Sequence, residues 1–266
     1  MKIIFATHNK HKLQQVKTVL KDFEVVGLEE IGITEEIEDT ANSYRGNAEL
    51  KASKIHNLTG EVCLADDSGI SIDAFDGWPG VQTHRFLGNN ATSDERNNVI
   101  LAKLKNIRNR DCTVICSICL IDKQGKVYFK EGTFDSQIAQ EKKGENKFGF
   151  DEILIYKDGK TLAEVSDEEK LQVNARSVAL SKMMPILKEI EKDCENNKQK
   201  VFEIEKPLND APLKNLENIE YIKSDIKNTH TNKEKTNNQQ NNFNKKETEN
   251  KIEQKHSLIR SLLERM

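Results

Sequence analysis

Apolar and polar positions alternate between two periods over the first 190 residues, and each change of period predicts a new element. Lys2–Ala6 reads as a buried strand from its β-branched and aromatic residues. Leu13, Val16 and Leu20 recur on one face and predict a helix over Lys12–Lys21. Glu24–Leu28 returns as a strand. Tyr44, Ala48, Ala52 and Ile55 form the inner stripe of a helix over Ala41–Asn57, and Val62–Ala65 is a short apolar strand. Thr92-Ser-Asp-Glu95 has capping-box spacing ahead of Ile100, Leu101 and Leu104. The β-branched run Cys112–Ile121 turns at Asp122-Lys-Gln-Gly125 into Lys126–Phe134, a hairpin. Glu152–Tyr156 is a further strand. Ser166-Asp-Glu-Glu169 is a second capping box, and Leu180, Met183, Leu187 and Ile190 mark a closing helix, which Pro185 is expected to kink or split. Strand–helix alternation combined with a hairpin predicts an α/β fold with a mixed sheet.

The pattern fades near residues 190–195. Asn228–Asn250 holds eight Asn and four Lys, with Phe243 as its one large apolar residue. Such a stretch buries too little apolar surface to offset its ordering entropy. The expected organisation is a folded domain over 1–192 and a disordered C-terminal tail over 193–266, whose last turns, 252–266, carry an amphipathic pattern.

Composition narrows the function classes. A net charge of −3 gives no general argument for nucleic acid or an anionic membrane, and no apolar run is long enough to span a bilayer. The N-terminal apolar stretch is too short for a signal peptide, so a cytoplasmic protein is expected. Five cysteines, an odd number, fit a reducing compartment. Cys112, Cys116 and Cys119 have an iron–sulfur spacing, but on a strand the first two face one side and the third the other, so they cannot converge.

Four clusters could carry chemistry. Ala65-Asp66-Asp67-Ser68-Gly69 places two carboxylates at the end of a predicted strand, where oxygen ligands suit Mg2+ and Gly69 would let backbone approach an anion. Thr7-His8-Asn9-Lys10-His11-Lys12 links a strand to a helix N-terminus, a ready anion site with added lysines. Phe148-Gly149-Phe150-Asp151 offers aromatic faces to a base and a carboxylate to its N–H groups. Lys170 and Arg176, six apart, need a turn between them to reach one ligand.

Taken in order, with Glu38-Asp39-Thr40, Asn47-Ala48-Glu-Leu-Lys51-Ala52 and Gly77-Trp-Pro-Gly80 between them, these blocks resemble the inosine triphosphatase family across 1–190. The resemblance implies an elongated mixed sheet flanked by helices, two lobes around a central nucleotide cleft, and a homodimer. It implies a Mg2+-dependent pyrophosphatase that cuts purine nucleoside triphosphates with deaminated bases (ITP, dITP, XTP) to the monophosphate. Thr7, His8, Asn9, Lys10, His11 and Lys12 then fall on the triphosphate loop. Glu38, Asp39 and Asp67 fall on metal-binding positions, with Asp67 also the catalytic base. Lys51 and Ser68 fall on substrate contacts, and Phe148, Gly149, Phe150, Asp151, Lys170, Ala175 and Arg176 on nucleotide and base contacts. The family usually has Ser-His-Arg where this chain has Asn174-Ala175-Arg176, which bears on base preference. A rival reading is a non-catalytic nucleotide-binding or scaffolding protein on this fold; another is a pyrophosphatase for other modified nucleotides.

Overall fold

The computed structural model describes residues 1–204 other than 89 and 146. Of the expected disordered tail, 193–204 are helical, and 205–266, with the amphipathic pattern at 252–266, lie outside the described residues. The strands are β1 (Lys2–Phe5), β2 (Glu24–Gly27), β3 (Cys63–Ile72), β4 (Asp111–Ile121), β5 (Val127–Gln137), β6 (Ile155–Lys157) and β7 (Lys160–Thr161). The helices are α1 (Lys10–Val19), α2 (Tyr44–Thr59), α3 (Ser93–Lys103), α4 (Asp167–Val173) and α5 (Ala175–Ile204). The main sheet runs β2-β1-β3-β4-β5. Its β2-β1-β3 part is parallel and its β3-β4-β5 part antiparallel, so the mixed sheet is present.

The two faces of the sheet carry different helices. On one, Leu64, Cys116, Ile118 and Leu120 meet Val16 and Leu20 of α1 and Ala179, Leu180, Met183 and Leu187 of α5. On the other, Cys63, Ala65 and Cys119 meet Ala48, Ala52 and Ile55 of α2. The three β4 cysteines separate as strand alternation requires, Cys112 and Cys116 on one face and Cys119 on the other, and all are free thiols. A third cluster, around Ile70, Ile72, Ile100, Leu104, Ile138, Ile153 and Leu162, lies further along β3 on the α1–α5 face. The cleft runs between it and the α1–α5 layer.

Three expectations need correction. β3 does not stop at Ala65: its ladder with β4 continues from Cys63 to Ile72, so Asp66 and Asp67 lie inside a strand rather than at its end. Strand alternation therefore sends their side chains to opposite faces, and they cannot share one cation. Pro185 does not split α5, which is one helix from Ala175 to Ile204. The buried Met183 and Leu187 on either side hold it to the sheet where a backbone donor is lost. The strand expected at Glu152–Tyr156 is reduced to Ile155–Lys157, because Ile153 N and Leu154 N turn back to Phe150 O.

Local chemistry sets the helix starts. Asn9 caps α1 by accepting from Lys12 N at 3.1 Å, which begins the helix two residues before the expected Lys12. Ser43 does the same for α2 by accepting from Gly46 N at 3.0 Å, moving its start to Tyr44. Both capping boxes read from the sequence, at Thr92 and Ser166, are formed.

Candidate active site

β1 pairs with β3 only through Leu64. Beyond that point the β3 edge runs on past the loop 6–9 until the 78–83 segment covers it from Ile70, whose N donates to Thr83 Oγ1 at 3.0 Å. A ligand along the short stretch at Asp66–Ser68 can be reached from both faces of the sheet. The site is built around this edge.

On the α1–α5 face, Asp66 is buried and its Oδ2 collects four donors: Lys12 Nζ at 3.1 Å, Arg176 Nε at 3.2 Å, Arg176 Nη2 at 2.9 Å and, more weakly, Cys116 Sγ at 3.8 Å. Burial alone would raise its pKa, but Arg176, Lys12 and Lys51 outweigh burial and hold the carboxyl well below the usual range. Arg176 Nη1 donates to Gln15 at 2.6 Å. The guanidinium expected at the base is thus largely committed to Asp66 and Gln15, and it joins α5, β3 and α1. Gly132 of β5 makes this possible, since a Cβ there would collide with Ala175 O and Ala179 N.

On the α2 face, Asp67 Oδ2 accepts from Asn47 Nδ2 at 2.8 Å and Oδ1 accepts from Ser68 N at 3.0 Å. Lys51 Nζ stands 3.0 Å from Asp39 Oδ1 and 3.8 Å from Asp67 Oδ1. Burial raises the Asp67 pKa against the pull of Lys51 and Asn47. Burial works against the Lys51 ammonium, but Asp67, Asp66 and Asp39 overcome it and leave its pKa raised. Asp39 and Asp67 therefore converge on one cation, whereas Glu38 is exposed and makes no ion pair with a described residue. Among the described residues no group of three or more His, Cys, Asp or Glu could hold a metal. Two converging carboxylates fit Mg2+, which commonly binds through one or two carboxylates plus substrate phosphates and keeps its waters.

The expected phosphate loop divides. Asn9 and Lys12 face the main cleft, while Thr7, His8 and Lys10 line a smaller hollow with Glu29 and Glu30. Lys10 is exposed, 3.6 Å from Glu29, and His8 Nε2 is 3.0 Å from Glu35 O. Gly69 does not make room for an anion on its side-chain face. A Cβ there would collide with Thr83 Oγ1, Gly80 O and Tyr44 Oη, so this glycine admits the protein's own turn.

At the other end, Phe148, Gly149, Phe150, Asp151, Ala175 and Arg176 all line the cleft with Ser68. Phe148 lies against His11 with ring centroids 5.1 Å apart. Lys170 donates to Asp151 at 2.8 Å. The turn needed between Lys170 and Arg176 exists, because Asn174 is extended between α4 and α5. It sends the two cations to different carboxylates, Asp151 and Asp66. Sequence reasoning missed Gln15, His84 and Arg96, and it has Asn47 in a matching block without a role. Asn47 stands one helical turn before Lys51, a spacing that could have suggested one.

A mixed sheet whose open strand edge is flanked by lysines and acids, leading into a cleft with an aromatic loop, defines an α/β protein built for a polyanionic ligand with a planar group. The family model described as Ham1 family matches residues 3–186, and the chain belongs to that family. It is 38% identical over 190 residues to a dITP/XTP pyrophosphatase of Porphyromonas gingivalis, covering 70% of this chain and 97% of that protein. A dITP/XTP pyrophosphatase of Bacillus subtilis is 36% identical over 189 residues, covering 69% and 96%. Among solved structures, a HAM1 protein from Coxiella burnetii matches with a TM-score of 0.65 at 31% identity, covering 71% of this chain and 99% of that one. The Staphylococcus aureus Ham1 protein matches with a TM-score of 0.64 at 30% identity, covering 71% and 98%.

Proposed function

We propose that this chain hydrolyses purine nucleoside triphosphates with deaminated bases, ITP, dITP and XTP, to the monophosphate and pyrophosphate. The observation that carries the reading is the edge of β3, where Asp67, held by Asn47 and beside Lys51, lies next in the chain to the Lys12–Asp66–Arg176 cluster. Relatives named dITP/XTP pyrophosphatases supply the substrate class.

The triphosphate lies along the β3 edge with its charge met by Lys12, Lys51 and the N-terminus of α1. Asp67 orients a water toward the α-phosphorus. The water oxygen forms a bond to that phosphorus, the bond to the α,β-bridging oxygen breaks, and its electron pair leaves with pyrophosphate. Asp67 takes the water's proton, and burial makes this carboxylate a better acceptor than a free aspartate. Asp39 and Asp67 would hold Mg2+, which when bound neutralises phosphate charge and lowers the pKa of water. Phe148 and Phe150 exclude solvent around the base, and Ala175 leaves space where a larger side chain would face it. A purely structural scaffold has no use for an Asp67 partly desolvated beside Lys51. The five free thiols accord with a reducing cytoplasm.

Pyrophosphate release measured with purified protein over ITP, XTP, GTP, ATP and dUTP, with and without Mg2+, tests the reading. The expected result is Mg2+-dependent release from ITP and XTP at least tenfold above the others. Sedimentation of the same preparation tests the homodimer.

A further inference from the structure

Three arginines are buried in the described structure: Arg96, Arg110 and Arg176. Two are fully accounted for. Arg176 is neutralised by Asp66, and Arg110 donates to three carbonyls, Ile138 O at 2.7 Å, Leu104 O at 2.9 Å and Ala139 O at 2.6 Å. Arg96 is neither neutralised nor saturated. Only 6% of its surface is exposed, yet its one hydrogen bond is from Nη2 to His84 O at 2.7 Å. Its Nε is buried without a partner, and no described carboxylate lies within ion-pair distance. The neighbouring Glu95 is occupied at the solvent-exposed capping box with Thr92.

A buried guanidinium without a counter-charge costs several kcal/mol unless something else supplies the negative charge. Arg96 sits where a ligand can do so, in the wall of the main cleft beside His84, whose ring hydrogen-bonds to no described residue. The next residue, Asn97, donates to Gly149 O at 3.2 Å and ties α3 to the aromatic loop. Lys12 and Arg176 line the same cleft.

We propose that Arg96 is a substrate-binding residue, donating from the α3 wall of the cleft to an anionic oxygen of the bound nucleotide. The proposal rests on the nucleotide reading above. The oxygen belongs either to the triphosphate or to the purine. Xanthine, with two keto groups, loses a ring proton readily and so presents an anionic base.

Calorimetry near neutral pH with the α,β-methylene analogue of XTP and with inorganic tripolyphosphate tests it. Arg96→Gln is expected to weaken binding of the analogue about tenfold to a hundredfold, the worth of a charge-assisted hydrogen bond. Arg96→Lys is expected to recover part of the loss. A parallel loss for tripolyphosphate assigns the contact to phosphate, and a loss confined to the nucleotide assigns it to the purine. Affinities of the Gln variant within twofold of wild type for both probes overturn the proposal. If that variant does not fold, the wild-type protein decides. The Nε–H resonance of Arg96, identified by its disappearance in Arg96→Lys, must shift when the analogue is added; an unmoved resonance overturns the proposal. A wild type that binds the analogue but releases no pyrophosphate from ITP or XTP overturns the assigned activity and leaves the Arg96 test valid.

Discussion

Asp66 and Asp67 are neighbours in the chain that serve opposite faces of one strand. Asp66 is locked by Lys12 and Arg176 on the α1–α5 side, and Asp67 is held by Asn47 beside Lys51 on the α2 side. Two adjacent carboxylates thus sit in two environments; on the proposed mechanism only Asp67 faces the reaction, and the difference is measurable.

Asp67→Asn is expected to lower kcat for ITP by at least about 10²-fold, because the proton acceptor is lost. Its Tm should stay close to wild type, since the amide keeps the shape and still bonds to Asn47. Steady-state kinetics beside a thermal melt check this, and turnover within threefold of wild type contradicts the role.

Asp66→Asn is expected to behave differently. It leaves Arg176 buried without its counter-charge, which costs about 3–5 kcal/mol. The wild-type carboxyl has a folded pKa held below its ordinary value, so below about pH 5 the unfolded chain binds more protons than the folded one. Stability from this group is therefore present above its ordinary pKa of 3.8 and is lost as pH falls below it. Urea melts from pH 7 to pH 3 should show that loss in wild type and a shallower slope in Asp66→Asn.

Gly132→Ala is expected to destabilise by about 1–3 kcal/mol, the range for overpacking, because the added methyl meets backbone rather than a movable side chain. The displaced start of α5 carries Arg176, so kcat/KM should fall along with Tm. A variant with unchanged kcat/KM would separate α5 placement from the site.

The thiols should differ sharply. Burial pushes Cys63 up to about 11 and Cys112, Cys116 and Cys119 up to about 12. Cys194, on α5, is only partly buried. Iodoacetamide at pH 8 should modify Cys194 first in the native protein, and all five only after denaturation. Peptide mass mapping of labelled protein checks the order.

Much of this architecture was legible in the sequence because local rules dictate it. The capping boxes at Thr92 and Ser166, the buried stripe Ala48-Ala52-Ile55 and the alternation of the β4 cysteines each follow from a spacing. Other features depend on partners distant in the chain. β3 continues through Asp66 and Asp67 only because Lys12, Arg176, Asn47 and Lys51 arrive from three helices to satisfy the carboxylates. No window around residue 66 contains those partners, so the strand looked shorter than it is. Arg96 was invisible for the same reason: on α3 it resembles any solvated charge, and only tertiary burial reveals a guanidinium without a counter-ion.

The central claim is that water attacks the α-phosphorus at the β3 edge. Hydrolysis of ITP in water enriched in 18O, followed by mass spectrometry of both products, tests it most directly. The label is predicted to appear in inosine monophosphate, with the released pyrophosphate unlabelled. Label in pyrophosphate, or release of labelled inorganic phosphate with a diphosphate product, would contradict the account.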